Sequence, residues 1–258
     1  MIQDMLILLK GLNNDLPVSI KLTDAGILSR VTEIADKILE TASLSVEIED
    51  IEELLSEQKD DFSLIIHLAV KLAKSKKTLQ AISEKVHLSI IFAIYQEHQR
   101  ILAANNHPNG EDFLHQKIKQ INWLFEGKTN FSWDMYVVDD GCPDNSGTIA
   151  QKILNEQYDK ENVKILFLED AIEKKVSVVK ELRNVDESRK GGSIEYGIWT
   201  ATQIERPNHI ILYTDADLSI HLGQAGLLID SIINEGKNAA IGSRSKDTSV
   251  FLQPGKTN

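Results

Sequence analysis

The sequence predicts an α/β protein, a mostly parallel sheet with helices on both faces, preceded by a small all-α region. Two observations carry this expectation. Residues 1–85 hold one aromatic residue, Phe62, two of the 14 glycines and one of the five prolines, so strand and turn formers are scarce there. From Val86 onward, apolar runs of strand length alternate with amphipathic segments of helical length, the pattern of a parallel sheet joined by helical crossovers. The expected division is a helical region, 1–85, and an α/β domain, 86–258.

In the first region Ile27, Leu28, Val31, Ile34, Ala35, Ile38, Leu39 and Ala42 recur at steps of three and four, one buried helix face with Thr23 or Asp24 as cap. Ile48, Ile51, Leu54 and Leu55 repeat the pattern inside an acidic segment. Phe62, Ile65, Leu68, Ala69, Leu72 and Ala73 do so again, ending in the basic run LAKSKK, which suits a helix C-terminus. The acidic and basic segments read chiefly as solvated faces, and secondarily as docking surfaces for a protein partner. The apolar run Met5–Leu9 is too short for a span, which needs about 20 apolar residues, and it lacks a basic leader.

In the second region five strands are expected: Val86–Glu97, WDMYVVDDG, NVKILFLE, HIILYTDADLS and AAIGSR. The helices between them are expected over 115–125, 148–158, after the glycines of SRKGGS, and 222–235. The crossover rule places the ligand crevice at the strands' C-terminal ends.

With 39 acidic against 28 basic residues the formal charge is -11, a poor basis for binding nucleic acid. A single cysteine, Cys142, excludes an internal disulfide framework and fits a reducing, cytoplasmic setting. Polar residues cluster at the strand ends: Tyr95 and Glu97, Asp139 and Asp140, Asp215 and Asp217, Ser243 and Arg244, with Arg189–Gly192 opening a helix. In an extended strand ending Asp-x-Asp, Asp215 and Asp217 point the same way and repel unless a cation sits between them.

Taken together, these motifs resemble family 2 glycosyltransferases. AIYQE is similar to their opening strand motif, VVDDGCPDNSG to their second-strand motif, RKGGSIEYGI to their glycine loop and helix, and YTDADLS to their metal-binding Asp-x-Asp. DADLS followed by IGSR is most similar to the branch of dolichyl-phosphate mannose synthases and related polyprenyl-phosphate glycosyltransferases. The resemblance covers residues 86–250. It implies a GT-A, Rossmann-like fold and a metal-dependent, inverting transfer of sugar from a UDP- or GDP-linked donor to a hydroxyl or a polyprenyl phosphate, with a membrane surface as one setting.

The resemblance also implies roles. Ala93 and Tyr95 would line the base and ribose pocket, and Glu97 would hydrogen-bond ribose or base. One of Asp139 and Asp140 would accept a base N–H while the other caps a helix or turn; the sequence leaves open which. Gly141 would keep the backbone close to the ligand. Lys190 and Gly191 would lie over the diphosphate, and Arg244 would approach the phosphates. Asp217 would bind Mn2+ or Mg2+ directly, Asp215 would hold ribose or a metal-bound water, and Ala216 lies between them.

The base that such enzymes draw from a segment after the IGSR-like strand has no match here. Asp247 is the one carboxylate beyond Arg244, so the domain is expected to be cut short before its acceptor segment. A competing reading is a non-catalytic nucleotide-binding protein that docks a partner through residues 1–85. A haloacid-dehalogenase-type phosphatase places its Asp-x-Asp on the first strand, whereas three strands precede it here. A dehydrogenase is disfavoured because Gly191, Gly192 and Gly197 lack the G-x-G-x-x-G spacing.

Overall fold

The computed structural model describes residues 2–17, 23–42, 48–58, 61–243 and 248–250. Contacts divide the chain into two units: residues 1–83, 120–124 and 221–258, and residues 84–119 and 125–220.

The first unit is helical. It contains α1 (Ile2–Asn14), α2 (Ala25–Ala42), α3 (Ile48–Glu57) and α4 (Leu64–Thr78). The first of these falls in the region expected to be helical, although no buried face was assigned to it; Met5, Leu9 and Leu12 step along it and are buried. Val31, Ile34 and Ile38 of α2 pack with Ile65, Ala69 and Leu72 of α4 in one core. The acidic and basic segments meet each other here: Lys71 pairs with Glu52, and Lys74 lies 2.9 Å from Glu52 and 3.7 Å from Glu49.

The second unit carries a four-stranded, wholly parallel sheet of β1 (Val86–Ile94), β2 (Phe131–Asp139), β3 (Val163–Phe167) and β4 (His209–Tyr213), in the order β3-β2-β1-β4. It is flanked by α5 (Phe113–Leu124), whose last turn counts with the helical unit, then α6 (Ser146–Gln157), α7 (Leu168–Glu173) and α8 (Arg189–Thr202). Each residue of β1 is buried, as expected of a central parallel strand. The result is a generic Rossmann-like α/β architecture. Among the described residues, no helix is long and apolar enough to cross a membrane.

Three expectations need correction. The helix expected after the glycines of SRKGGS begins before them, at Arg189, and Gly191 and Gly192 lie inside α8. The segment expected as a fifth strand forms none over its described residues, 239–243: Ile241 is 91% exposed, so the short apolar triplet before Gly242 finds no sheet to join. The helix expected over 222–235 begins as a 3-10 turn, Leu222–Gln224, and becomes α9 only over Ala225–Ile233.

Far from the strands' C-terminal ends, one sheet face carries a polar network. Asp134 accepts hydrogen bonds from Ser89 at 2.5 Å and Tyr136 at 3.0 Å, and His87 Nε2 lies 3.1 Å away. Ser89 Oγ also meets His209 Nε2 at 2.8 Å. Burial pushes the Asp134 carboxyl up, but bonds from His87, Ser89 and Tyr136 outweigh it and hold the pKa below 3.8. Burial, then the neighbouring His87, lowers His209 below 6.5.

Both groups bind protons more readily in the unfolded chain, so stability falls as pH falls. Thermal melts are expected to lose stability in two stages, the first below pH 6.5 from His209 and the second in the carboxylate range, to which Asp134 contributes with the other carboxylates whose pKa the fold lowers, Asp217 and Glu52. His209→Gln is expected to remove the first stage alone; a single stage in the unmodified protein contradicts the assignment.

Candidate functional site

The order β3-β2-β1-β4 reverses direction at β1, whose next strand in sequence lies on one side and β4 on the other. Diverging connections leave a crevice at such a point. A crevice of about 270 Å³ is found at the strand ends, lined by Ala93, Tyr95, Glu97, Asp140, Lys190, Asp215, Ala216 and Asp217.

The end of β2 separates the roles of its two aspartates. Asp139 is buried, and its carboxylate accepts from the amide of Cys142 at 2.9 Å and of Gly147, at the start of α6, at 2.6 Å. It therefore satisfies amides that the helix start leaves unpaired. A side chain at Gly147 would lie 2.6 Å from the Asp139 Cβ, so only glycine permits this approach. Asp140 faces the crevice and accepts from Ser193 Oγ of α8 at 2.5 Å. Burial and the Asp139 charge raise its pKa, against the lowering by Ser193 and Lys190.

Gly141 has φ +70, and a Cβ there would meet Val185 at 2.4 Å, so its glycine serves the turn and that packing. Gly191 lies in the first turn of α8 with nothing near its would-be Cβ, and neither glycine lines the crevice. Arg244 and Asp247 lie outside the described residues.

Asp215 and Asp217 reach the crevice from a loop and not from a strand. β4 stops at Tyr213, Thr214 still donates to the Ile91 carbonyl, and then the Ser219 amide donates to Asp217 Oδ1 at 3.1 Å. That local Asx-type bond turns the chain out of the sheet. Each aspartate has a cation: Lys190 Nζ bonds Asp215, and an Arg100 nitrogen lies 3.7 Å from Asp217. Burial raises the Asp217 pKa, but the Ser219 hydroxyl and amide, with Arg100 and Lys117, outweigh it and hold the group below 3.8. Burial pulls Lys190 down, but Asp215 and the Tyr213 hydroxyl outweigh it and hold the ammonium above 10.5.

Three residues that sequence reasoning passed over belong to this charge system. Arg100 bonds Glu97 at 3.2 Å and Glu111 at 3.1 and 3.3 Å. Glu111 lies in what reads as a polar loop; backbone bonds Glu111 N to Arg100 O and Asp112 N to Leu102 O fold that loop onto itself. Lys117 is fully buried, its Nζ has no hydrogen-bond partner among the described residues, and it lies 5.4 Å from the Phe92 ring. Burial lowers it to about 8 despite the attraction of Asp217 and Asp215. The helical spacing of Phe113, Lys117 and Leu124 was a signal that this lysine faces inward. Burial raises the pKa of Glu97, against the attraction of Arg100.

Asp215 and Asp217 fit a hard divalent ion by donor type, since both offer carboxylate oxygens to one crevice. Among the described residues, no three or more His, Cys, Asp or Glu side chains form a metal cage. An ion held by these two aspartates would take its other ligands from phosphate oxygens and water, as magnesium does with nucleotides.

No protein-family model, curated protein or solved structure matches the chain. Asp139→Ala is expected to cost about 1–2 kcal/mol in denaturant unfolding, through two lost hydrogen bonds to amides. Asp140→Asn is expected to leave stability within about 0.5 kcal/mol of the unmodified protein or to raise it, since burial already disfavours its charge.

Proposed function

We propose that the crevice binds a nucleoside diphosphate sugar with Mn2+ or Mg2+, and that the chain is a family 2-like, GT-A-type glycosyltransferase or the donor-binding part of one. The observation that carries this reading is the convergence of three separate strand ends and the start of α8 on one crevice. Tyr95, 51% exposed, offers its ring to a base. Glu97 and Asp140 offer acceptors to ribose hydroxyls and a base N–H. Lys190 and the first turn of α8 lie where a diphosphate would sit, because a helix N-terminus favours anions. A divalent ion at Asp215 and Asp217 would neutralise the departing diphosphate.

In the transfer, the bond from the anomeric carbon to the diphosphate oxygen breaks, and the diphosphate keeps the electron pair. An acceptor oxygen bonds the anomeric carbon from the opposite face, which inverts it. A hydroxyl acceptor must also give its proton to a base. A polyprenyl phosphate is already largely ionised near neutral pH and needs none.

Calorimetry with UDP- and GDP-sugars, with and without Mn2+, tests the reading. Metal-dependent binding of one of them is expected, weakened roughly tenfold or more by Asp217→Asn, which removes a charged ligand of the ion. Absence of metal-dependent binding for both donors would sink the proposal.

A further inference from the structure

The Asp-x-Asp carboxylates are already neutralised by the chain itself. Lys190 Nζ bonds Asp215, and the Arg100 guanidinium lies 3.7 Å from Asp217. These cations are held differently from Lys117, which is fully buried and has no hydrogen-bond acceptor among the described residues. Lys190 has a side chain 49% exposed and sits in the first turn of α8. Arg100 has its short contacts to Glu97 and Glu111, and Asp217 is its longest. Asp217 is therefore the most weakly held of its three carboxylates.

Five carboxylates, Glu97, Glu111, Asp140, Asp215 and Asp217, face three cations, Arg100, Lys117 and Lys190. A divalent ion taking both aspartates would be repelled by any cation that stayed beside them. An incoming diphosphate brings negative oxygens that both displaced groups are built to bind, the ammonium as a point charge and the guanidinium as a planar fork.

We propose that Lys190 and Arg100 are exchangeable placeholder cations: they pair with Asp215 and Asp217 in the free protein and pass to the diphosphate oxygens when a divalent ion takes the aspartates. The exchange rests on the reading of the crevice as a metal–diphosphate site and adds to it how the site is kept closed to free metal. Metal alone must displace both cations, which costs Lys190 its Asp215 partner and Arg100 one of its three carboxylates. Metal arriving with a diphosphate gives each a new partner, so the crevice favours the complex over the bare ion.

The test is calorimetry at fixed ionic strength with two probes, MnCl2 alone and then UDP or GDP at saturating Mn2+. Lys190→Gln and Arg100→Gln are each expected to bind Mn2+ alone roughly three- to tenfold more tightly, because a like charge has gone. The same variants are expected to bind the nucleotide with Mn2+ about tenfold more weakly, because a charged phosphate donor has gone.

A purely structural role moves both affinities the same way or neither. Any pattern other than opposite signs, with the unmodified protein still binding Mn2+ and nucleotide, overturns the exchange and leaves the metal–nucleotide reading standing. If the unmodified protein binds neither UDP nor GDP with Mn2+, that reading fails and the exchange with it. Lys190→Gln, at a half-exposed position, carries the test if Arg100→Gln fails to fold.

Discussion

Carboxylates collected at the open end of a parallel sheet repel one another, and the crevice keeps its shape because cations are interleaved among them. Arg100 is the centre of this arrangement, with Glu97, Glu111 and Asp217 all within reach of one planar group. A lysine in its place offers a single point of charge and cannot hold three acids at fixed angles. The guanidinium therefore fixes both the loop that carries Glu111 and the orientation of Glu97 at the mouth of the crevice.

Behind that charge system is a set of neutral and charge-assisted bonds to the backbone. Asp139 ties the end of β2 to the start of α6, and the Cys142 sulfur accepts from the Gln96 amide while meeting Ser146 Oγ at 3.1 Å. Ser146 Oγ in turn accepts from the Glu97 amide at 2.9 Å. One relay thus links the end of β1 to the end of β2, and the crevice residues Tyr95, Glu97 and Asp140 hang from it. The cysteine acts here as a small polar packing group.

The helical unit follows the same logic with different residues. Glu52 is set between Lys71 and Lys74, and Asp36 accepts from the Trp123 indole at 2.9 Å and from Lys76 at 3.0 Å. Charges that read as solvated faces along each helix instead satisfy one another where the helices cross. Such pairs orient helices more than they stabilise them, since much of the Coulomb gain offsets lost hydration.

Much of the fold was legible because periodicity reports burial: β1 to β4 and helices α5, α6 and α8 follow from apolar runs and their spacing, whereas α7 starts at Leu168, inside the segment read as the end of β3. The strand ends were legible too, because polar residues interrupt those runs where the backbone leaves the sheet. What local pattern left open was decided by partners distant in sequence. Asp139 and Asp140 are chemically identical, and only the positions of the α6 amides and of Ser193 make one a cap and the other a crevice wall. Arg100, Glu111 and Lys117 carry no motif, and they join the site because the fold brings residues a hundred positions apart into one electric field. The apolar triplet at 239–241 resembles a strand by composition, yet a strand exists only where a neighbour supplies hydrogen bonds, and none does among the described residues. The sequence by itself determined the order of elements and the residues offered to the crevice; the tertiary structure alone decided which charges meet, because Coulomb pairing depends on distance in space and not on distance along the chain.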